Sequence, residues 1–206
     1  MAYLVNEVFS SLQGEGPAIG APATFIRLSG CNLACAYCDT AHVRGRSMEI
    51  TEILDRAAAG PERVVITGGE PVLAGEALAE LAGALVEAGK IVDIETNGTI
   101  IPPAGLEPLI DNYVISPKLA NSGMPPAERR LADGLPPGSF KFAAEIVDDL
   151  DEAAEVAALH PGREVIVMPL GTDPAAILKR MAALRRPVAE RGWRLLPRLQ
   201  VLLGIR

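Results

Sequence analysis

Cys31, Cys35 and Cys38 are the only cysteines in the chain of 206 residues, and all three fall within eight positions. Three thiolates so close together can hold one metal centre. They are one ligand short of the four that close a zinc or iron–sulfur site, and an open position is where a centre binds something else. Cysteines of a packed core would be scattered through the strands. A disulfide framework calls for an even number. The spacing is C-x3-C-x2-C. A redox pair of Cys35 and Cys38 would not need Cys31. His42, four residues beyond Cys38, would complete a zinc site of three cysteines and a histidine. The spacing favours a cubane cluster with one bare iron, and the zinc site stays open beside it.

Other residues could do chemistry near that loop. Thr67-Gly68-Gly69-Glu70-Pro71 follows the β-branched run Arg63 to Ile66. A glycine pair lets backbone approach a ligand closely, although alone it reads as a plain turn. Arg27 lies on the run that leads into the cysteines, where a guanidinium can clamp a carboxylate or simply sit at the surface. The net charge of −7, from 26 acidic and 19 basic residues, argues against a surface that grips nucleic acid. It leaves room for a small anion held by one or two cations. Arg129-Arg130 and Arg185-Arg186 read as solvated helix surface. No run approaches the roughly 18 apolar residues of a membrane span. Met1 to Phe9 does not have the pattern of a secretory signal. The clustered, odd-numbered cysteines fit a reducing, cytoplasmic setting.

The positioning elements follow from periodicity. Strands are expected at Leu4 to Phe9, Thr24 to Leu28, Arg63 to Thr67, Ile91 to Glu95, Tyr113 to Ser116, Phe140 to Ala143, Glu164 to Met168 and Arg194 to Leu199. Helices are expected at Thr51 to Ala59, Gly75 to Ala88, Asp148 to Leu159 and Asp173 to Glu190. The second helix presents Leu78, Leu81, Leu85 and Val86 on one face, and the last presents Ile177, Met181, Leu184 and Val188. Thr51 reads as an N-cap, as does Asp173 with Pro174 at the first helical position. Alternating strands and helices give an α/β chain with a mostly parallel sheet. A closed eight-fold barrel needs about 250 residues. The stretch from Ile101 to Gly138 is too rich in Pro and Gly for long helices. The expectation is an incomplete, open βα barrel, with residues 1–206 as one domain.

The cysteine loop, with Tyr37 in the aromatic slot before Cys38, and the Gly68-Gly69-Glu70 segment resemble the signatures of radical S-adenosylmethionine enzymes. The opening Val5-Asn6-Glu7-Val8-Phe9-Ser10-Ser11-Leu12-Gln13-Gly14-Glu15-Gly16-Pro17 narrows the resemblance. So do Arg27, Asp39-Thr40, Glu95-Thr96-Asn97-Gly98, Ser116-Pro117-Lys118 and the run Leu199 to Arg206. Together they are similar to the 7-carboxy-7-deazaguanine synthase family, nearly end to end. The resemblance implies the open barrel of radical S-adenosylmethionine enzymes and a 4Fe-4S cluster on Cys31, Cys35 and Cys38. It implies S-adenosylmethionine contacts from Tyr37, Cys38, Asp39, Gly69, Ser116, Pro117 and Lys118, with Met168, Pro169, Leu170 and Gly171 added on the nucleotide side. Substrate contacts would come from Leu12, Gln13, Gly14, Arg27 and Thr67, with Arg27 on the substrate carboxylate. Thr40 would ligate a magnesium ion that also touches the substrate. The apolar Val201, Leu202 and Leu203 would pack the tail down, and a carboxylate at Arg206 could then reach the substrate.

The implied reaction turns 6-carboxy-5,6,7,8-tetrahydropterin into 7-carboxy-7-deazaguanine and ammonia. An adenosyl radical would remove a hydrogen from C6 and return it, so that S-adenosylmethionine is regenerated. The cofactors do that chemistry. No acid–base role is assigned to Glu15 or Glu70, and His42 and His160 are expected to be bystanders. The family also implies a homodimer and a flavodoxin or ferredoxin as electron donor. Two rivals remain at this point: an activase that makes a glycyl radical on a protein partner, and the zinc-binding module.

Overall fold

The computed structural model describes residues 2–40 and 44–205. His42 and Arg206 lie outside the described residues, so the zinc-ligand and terminal-carboxylate readings are not addressed by the fold. The chain opens with a hairpin of β1 (Ala2–Leu12) and β2 (Pro22–Leu28). A short strand β3 (Arg46–Glu49) pairs antiparallel with the start of β1. There follow β4 (Arg63–Gly68), β5 (Ile91–Thr96), β6 (Asn112–Ile115), β7 (Ser139–Ala144), β8 (Val165–Pro169) and β9 (Arg194–Leu195). They form one nine-stranded sheet in the order β3-β1-β2-β4-β5-β6-β7-β8-β9. From β2 to β9 every neighbour is parallel. β3 and β9 are the two edges and do not meet, so the barrel is open as expected.

Four helices return the chain between parallel strands: α1 (Ile50–Ala58), α2 (Glu76–Glu87), α3 (Asp148–Ala158) and α4 (Pro174–Glu190). A short α5 (Leu199–Leu203) follows β9. Side chains of a strand alternate between its two faces. The outward face carries Ile26, Ile66, Ile94, Ile115 and Phe140, all fully buried in one cluster with Leu78, Leu81 and Leu85 of α2. The inward face turns polar toward the C-terminal ends of the strands. There Arg27 stands opposite Thr67, Glu95 opposite Val114, and Val114 opposite Ser139, two residues before Lys141. This inward polarity positions the site.

Asp173 caps α4 as expected, its Oδ1 accepting from Ala176 N at 2.9 Å with Pro174 next in line. Ile177, Leu184 and Val188 of α4 are buried, and Met181 is partly so. Thr51 is not a cap. β3 runs directly into α1, whose N-cap is Glu49 with no side-chain capping bond, so Thr51 already lies within the helix. Val86 does not join the buried face of α2 and is 40% exposed. It lies one residue past Leu85, which is about 100° round the helix. The last strand ends at Leu195 rather than Leu199, because Pro197 interrupts pairing and α5 begins at Leu199. Between Ile101 and Gly138 there are only β6 and two short 3-10 turns, Glu107–Leu109 and Ala120–Ser122. No described helix is long and apolar enough to cross a membrane.

Candidate active site

The cysteine loop leaves the C-terminal end of β2 and is held by backbone from two sides, the turn at Ser122 and the turn after β4. Ala36 N donates to Ser122 O at 2.9 Å, Glu70 N to Gly30 O at 2.8 Å, and Gly69 N to Leu28 O at 3.1 Å. The last two contacts explain the glycine pair. Gly68 has φ 142°, and a Cβ there would fall 2.1 Å from Leu28 O. A Cβ on Gly69 would fall 1.9 Å from Gly30 O. Side chains at either position would hold the β4 turn away from the loop.

Glu70 locks this arrangement from beneath. It is 1% exposed and accepts from Val72 N at 3.0 Å, Thr96 Oγ1 at 2.7 Å and Asn97 N at 2.6 Å. Burial pushes its carboxyl up, and the hydrogen bonds work against that shift. Asn97 then reaches the cysteine loop, donating to Asn32 Oδ1 at 2.9 Å. Asn32 in turn donates to Thr99 Oγ1 at 2.8 Å, which closes a ring on Asn97 at 2.7 Å. Glu70 is thus a structural tie between the ends of β4 and β5.

Cys31, Cys35 and Cys38 all border one cavity of about 260 Å³ at the C-terminal ends of the strands. Cys31 and Cys35 are partly buried and Cys38 is exposed. Leu33 N points at Cys31 Sγ at 3.4 Å. Burial pushes the Cys31 and Cys35 thiols up, so a metal that binds them must displace protons. Among the described residues no three Cys, His, Asp or Glu side chains converge on one point, as a mononuclear site requires. A cubane cluster makes no such demand, because each thiolate takes a different iron. Lys118 borders the same cavity and donates to Ser116 Oγ at 2.9 Å. Desolvation pulls its ammonium pKa down.

Arg27 is not at a sheet edge, since β2 is paired on both sides. Its Nε binds Glu7 Oε1 at 2.9 Å, its Nη1 donates to Thr40 Oγ1 at 3.2 Å, and its guanidinium stands 6.0 Å from the Phe9 ring centre. Deeper in the cavity lies a charged set that sequence reasoning did not assign. Lys141 Nζ pairs with Glu15 at 2.7 Å and Glu95 at 3.3 Å. Gln13 Nε2 and Thr67 Oγ1 donate to Glu95 at 3.2 and 3.3 Å. Burial alone would raise the Glu15 carboxyl, but Lys141 and Arg198 outweigh it and hold the group well below the usual carboxylate range.

Leu12, Gln13, Gly14, Arg27, Thr67, Tyr37, Cys38, Asp39, Thr40, Gly69, Ser116, Lys118, Met168, Pro169 and Leu170, all singled out from the sequence, share this cavity; Pro117 and Gly171 are not on its wall. His160 packs edge-on against Phe140, its ring centre 5.4 Å away, and is not on the wall either. The segment after β9 does come down onto the barrel, but through Leu199 N on Gly14 O at 3.0 Å and Gln200 on Glu15 at 2.7 Å. Of the apolar tail, Val201 and Leu202 are partly buried, whereas Leu203 is 55% exposed. Lys141 had a readable signal: flanked by Phe140 and Phe142, it must face away from the apolar layer. Arg198 had none.

Residues 25–120 match the radical SAM superfamily. A protein from Pyrobaculum aerophilum named 7-carboxy-7-deazaguanine synthase is 35% identical over 96% of this chain and 93% of its own. One of the same name from Methanospirillum hungatei is 42% identical over 82% of this chain and 74% of its own. The chain belongs to the 7-carboxy-7-deazaguanine synthase family. Among solved structures, QueE from Escherichia coli superposes with a TM-score of 0.75 at 26% identity, covering 96% of this chain and 94% of that one. SuiB from Streptococcus suis matches at 0.54 and 17% identity over 81% of this chain and 46% of that one, a likeness of fold alone. Family membership brings with it a 4Fe-4S cluster and S-adenosylmethionine, and the cysteine loop fits both.

Proposed function

We propose that the chain is a radical S-adenosylmethionine lyase that converts 6-carboxy-5,6,7,8-tetrahydropterin to 7-carboxy-7-deazaguanine and ammonia, a step of 7-deazapurine biosynthesis. The observation that carries this reading is one cavity bordered both by three cysteine thiols and by Arg27, Thr67 and Gln13. When bound, the cluster and S-adenosylmethionine supply an adenosyl radical that takes and returns the hydrogen at C6 of the pterin. The residues of the chain hold and orient. Cys31, Cys35 and Cys38 carry the cluster. Tyr37, Cys38, Asp39, Gly69, Ser116 and Lys118 receive S-adenosylmethionine, with Met168, Pro169 and Leu170 beside its nucleoside, while Pro117 and Gly171, off the wall, act through these neighbours.

Leu12, Gln13, Gly14 and Thr67 hold the pterin, and Arg27 takes its carboxylate. A guanidinium has five N–H donors. Glu7 and Thr40 engage Nε and Nη1, so N–H groups remain for a ligand carboxylate. Thr40 Oγ1 and the neighbouring Asp39, 3.3 Å apart, offer hard oxygens to a magnesium ion. Holding C6 near the radical carbon is the main task, because misplacement of a reacting group by 1 Å costs on the order of 100-fold. We assign the chain, as a single domain over residues 1–206, to a reducing cytoplasm. There it would work as a homodimer fed by a flavodoxin or ferredoxin. Anaerobic incubation of the iron-loaded protein with dithionite, S-adenosylmethionine and the pterin should yield the deazaguanine by mass. A fully loaded protein that makes none refutes the reading.

A further inference from the structure

Arg198 stands immediately before α5 and touches three separate loops. Its Nε lies 3.2 Å from Glu15 Oε1, after β1. Its Nη1 donates to Gly171 O at 2.7 Å, after β8. Its Nη2 pairs with Asp39, at the end of the cysteine loop. The guanidinium is 15% exposed, whereas Asp39 is 51% exposed and would otherwise stand in solvent. Glu15 is held a second time, by Lys141 at 2.7 Å. The segment that carries Arg198 is itself seated by Leu199 N on Gly14 O and by Gln200 on Glu15. Gly14 leaves room for that seat: a Cβ there would fall 2.0 Å from Gln200 Oε1, which would have to swing away, and 3.1 Å from Gln200 N.

The three acceptors lie in different directions around one planar group. A guanidinium can serve all three with its fixed, planar fork of donors, whereas an ammonium gathers its three donors at one point on a flexible stem and cannot span acceptors set this far apart. Removing Arg198 leaves Glu15 still paired with Lys141 and returns Asp39 to water. The energetic loss from the exposed Asp39 arm is therefore small. What is lost is the relative placement of the loops.

We propose that Arg198 is a positioning residue that clasps the S-adenosylmethionine side of the cavity, through Asp39 and Gly171, to the pterin side, through Gly14 and Glu15. The proposal rests on the functional reading above. In that reaction the hydrogen returns and S-adenosylmethionine is regenerated. A loosened clasp lets the two ligands drift apart. S-adenosylmethionine is then cleaved to methionine and 5′-deoxyadenosine without product, dithionite supplying one electron for the C–S cleavage and a second that, with a solvent proton, quenches the adenosyl radical.

The test uses the iron-loaded protein and its Arg198→Ala and Arg198→Lys variants. Iron content and melting temperature should stay near those of the parent. Deazaguanine formation should fall on the order of 10- to 100-fold. The 5′-deoxyadenosine released per deazaguanine should rise by a similar factor, and lysine should not restore it. Chymotrypsin should cut at Leu199, Leu202 or Leu203 faster in both variants. An unchanged ratio of the two products overturns the proposal, as does a loss of turnover that only tracks lost iron. Arg198→Lys keeps the positive charge beside Glu15 and serves if the alanine variant does not fold. A parent protein that makes no deazaguanine would sink the functional reading instead, and equal chymotryptic rates would then still overturn the clasp.

Discussion

Replacing Gly69 by alanine asks whether the glycine pair is there to bring two backbones together. A Cβ at residue 69 would lie 1.9 Å from Gly30 O and 2.5 Å from its carbonyl carbon. Neither is the movable end of a side chain. Going from 1.9 Å to the 3.0 Å that real Cβ atoms require means a parting of 1.1 Å. Gly30 O accepts from Glu70 N at 2.8 Å, and that parting ends the bond. The lost hydrogen bond costs about 1 kcal/mol and the overpacking about 1–3 kcal/mol. A total of roughly 2–4 kcal/mol lowers the melting temperature of a chain this size by about 5–15 °C. Cys31 follows Gly30 and is dragged with it, so turnover should fall on the order of 100-fold. Differential scanning calorimetry, iron and sulfide content after anaerobic loading, and deazaguanine formation read the three effects. Gly83→Ala is the control. Its Cβ would sit 3.8 Å from Leu109 Cδ1 inside α2, and alanine should stabilise that helix by about 0.5–1 kcal/mol. If Gly69→Ala melts, loads iron and turns over like the parent, the close-approach argument is wrong.

Thr40→Ala should leave iron content unchanged while lowering turnover and its stimulation by magnesium; identical kinetics across a magnesium titration would remove Thr40 from the metal. Lys141→Met leaves Glu15 and Glu95 without their shared cation and should cost about 3 kcal/mol in urea unfolding, toward the low end because Arg198 still neutralises Glu15; a loss under about 1 kcal/mol would show the cluster to be well solvated. The Glu15 carboxyl titrates lower folded than unfolded, so its contribution is fully present above the unfolded value of about 4.3 and is lost as pH falls through the depressed folded one. The stability gap between the parent and Glu15→Gln should therefore be constant near neutrality and shrink as pH falls below about 4; a gap that widens with acid contradicts the sign. Gly14→Ala should unseat Gln200, and the added Gln200→Ala should recover part of the lost turnover; strictly additive losses would mean the two residues do not meet.

The parallel strands were legible because each is an apolar run bounded by turn residues. Val165 to Pro169, buried at every position, is the clearest. Arg46–Glu49 was not legible: it has one buried residue, Met48, and forms only by pairing with β1. α5 escaped notice because five residues show too little periodicity, and its seat lies on Gly14, far away in sequence. In the site, the cysteines, Arg27 and the glycine pair carry their chemistry in local spacing. Glu95, Lys141 and Arg198 do not. Their ion pairs span 46 residues or more of chain and depend on which strands the barrel sets side by side.

The inward polarity of the sheet has a mechanical consequence. With Arg27, Thr67, Glu95 and Lys141 turned toward the cavity, the oily filling on that side of the sheet is reduced to the small cluster of Ala23, Phe25 and Val65 with Phe9, and the lumen beyond it does little to hold the strands in a curve. Curvature there must be imposed from outside, by the grip of α1 to α4 on the convex side. Substitutions meant to toughen the molecule therefore belong in that outer jacket, where added methylene groups tighten the hoop without crowding the chamber it encloses.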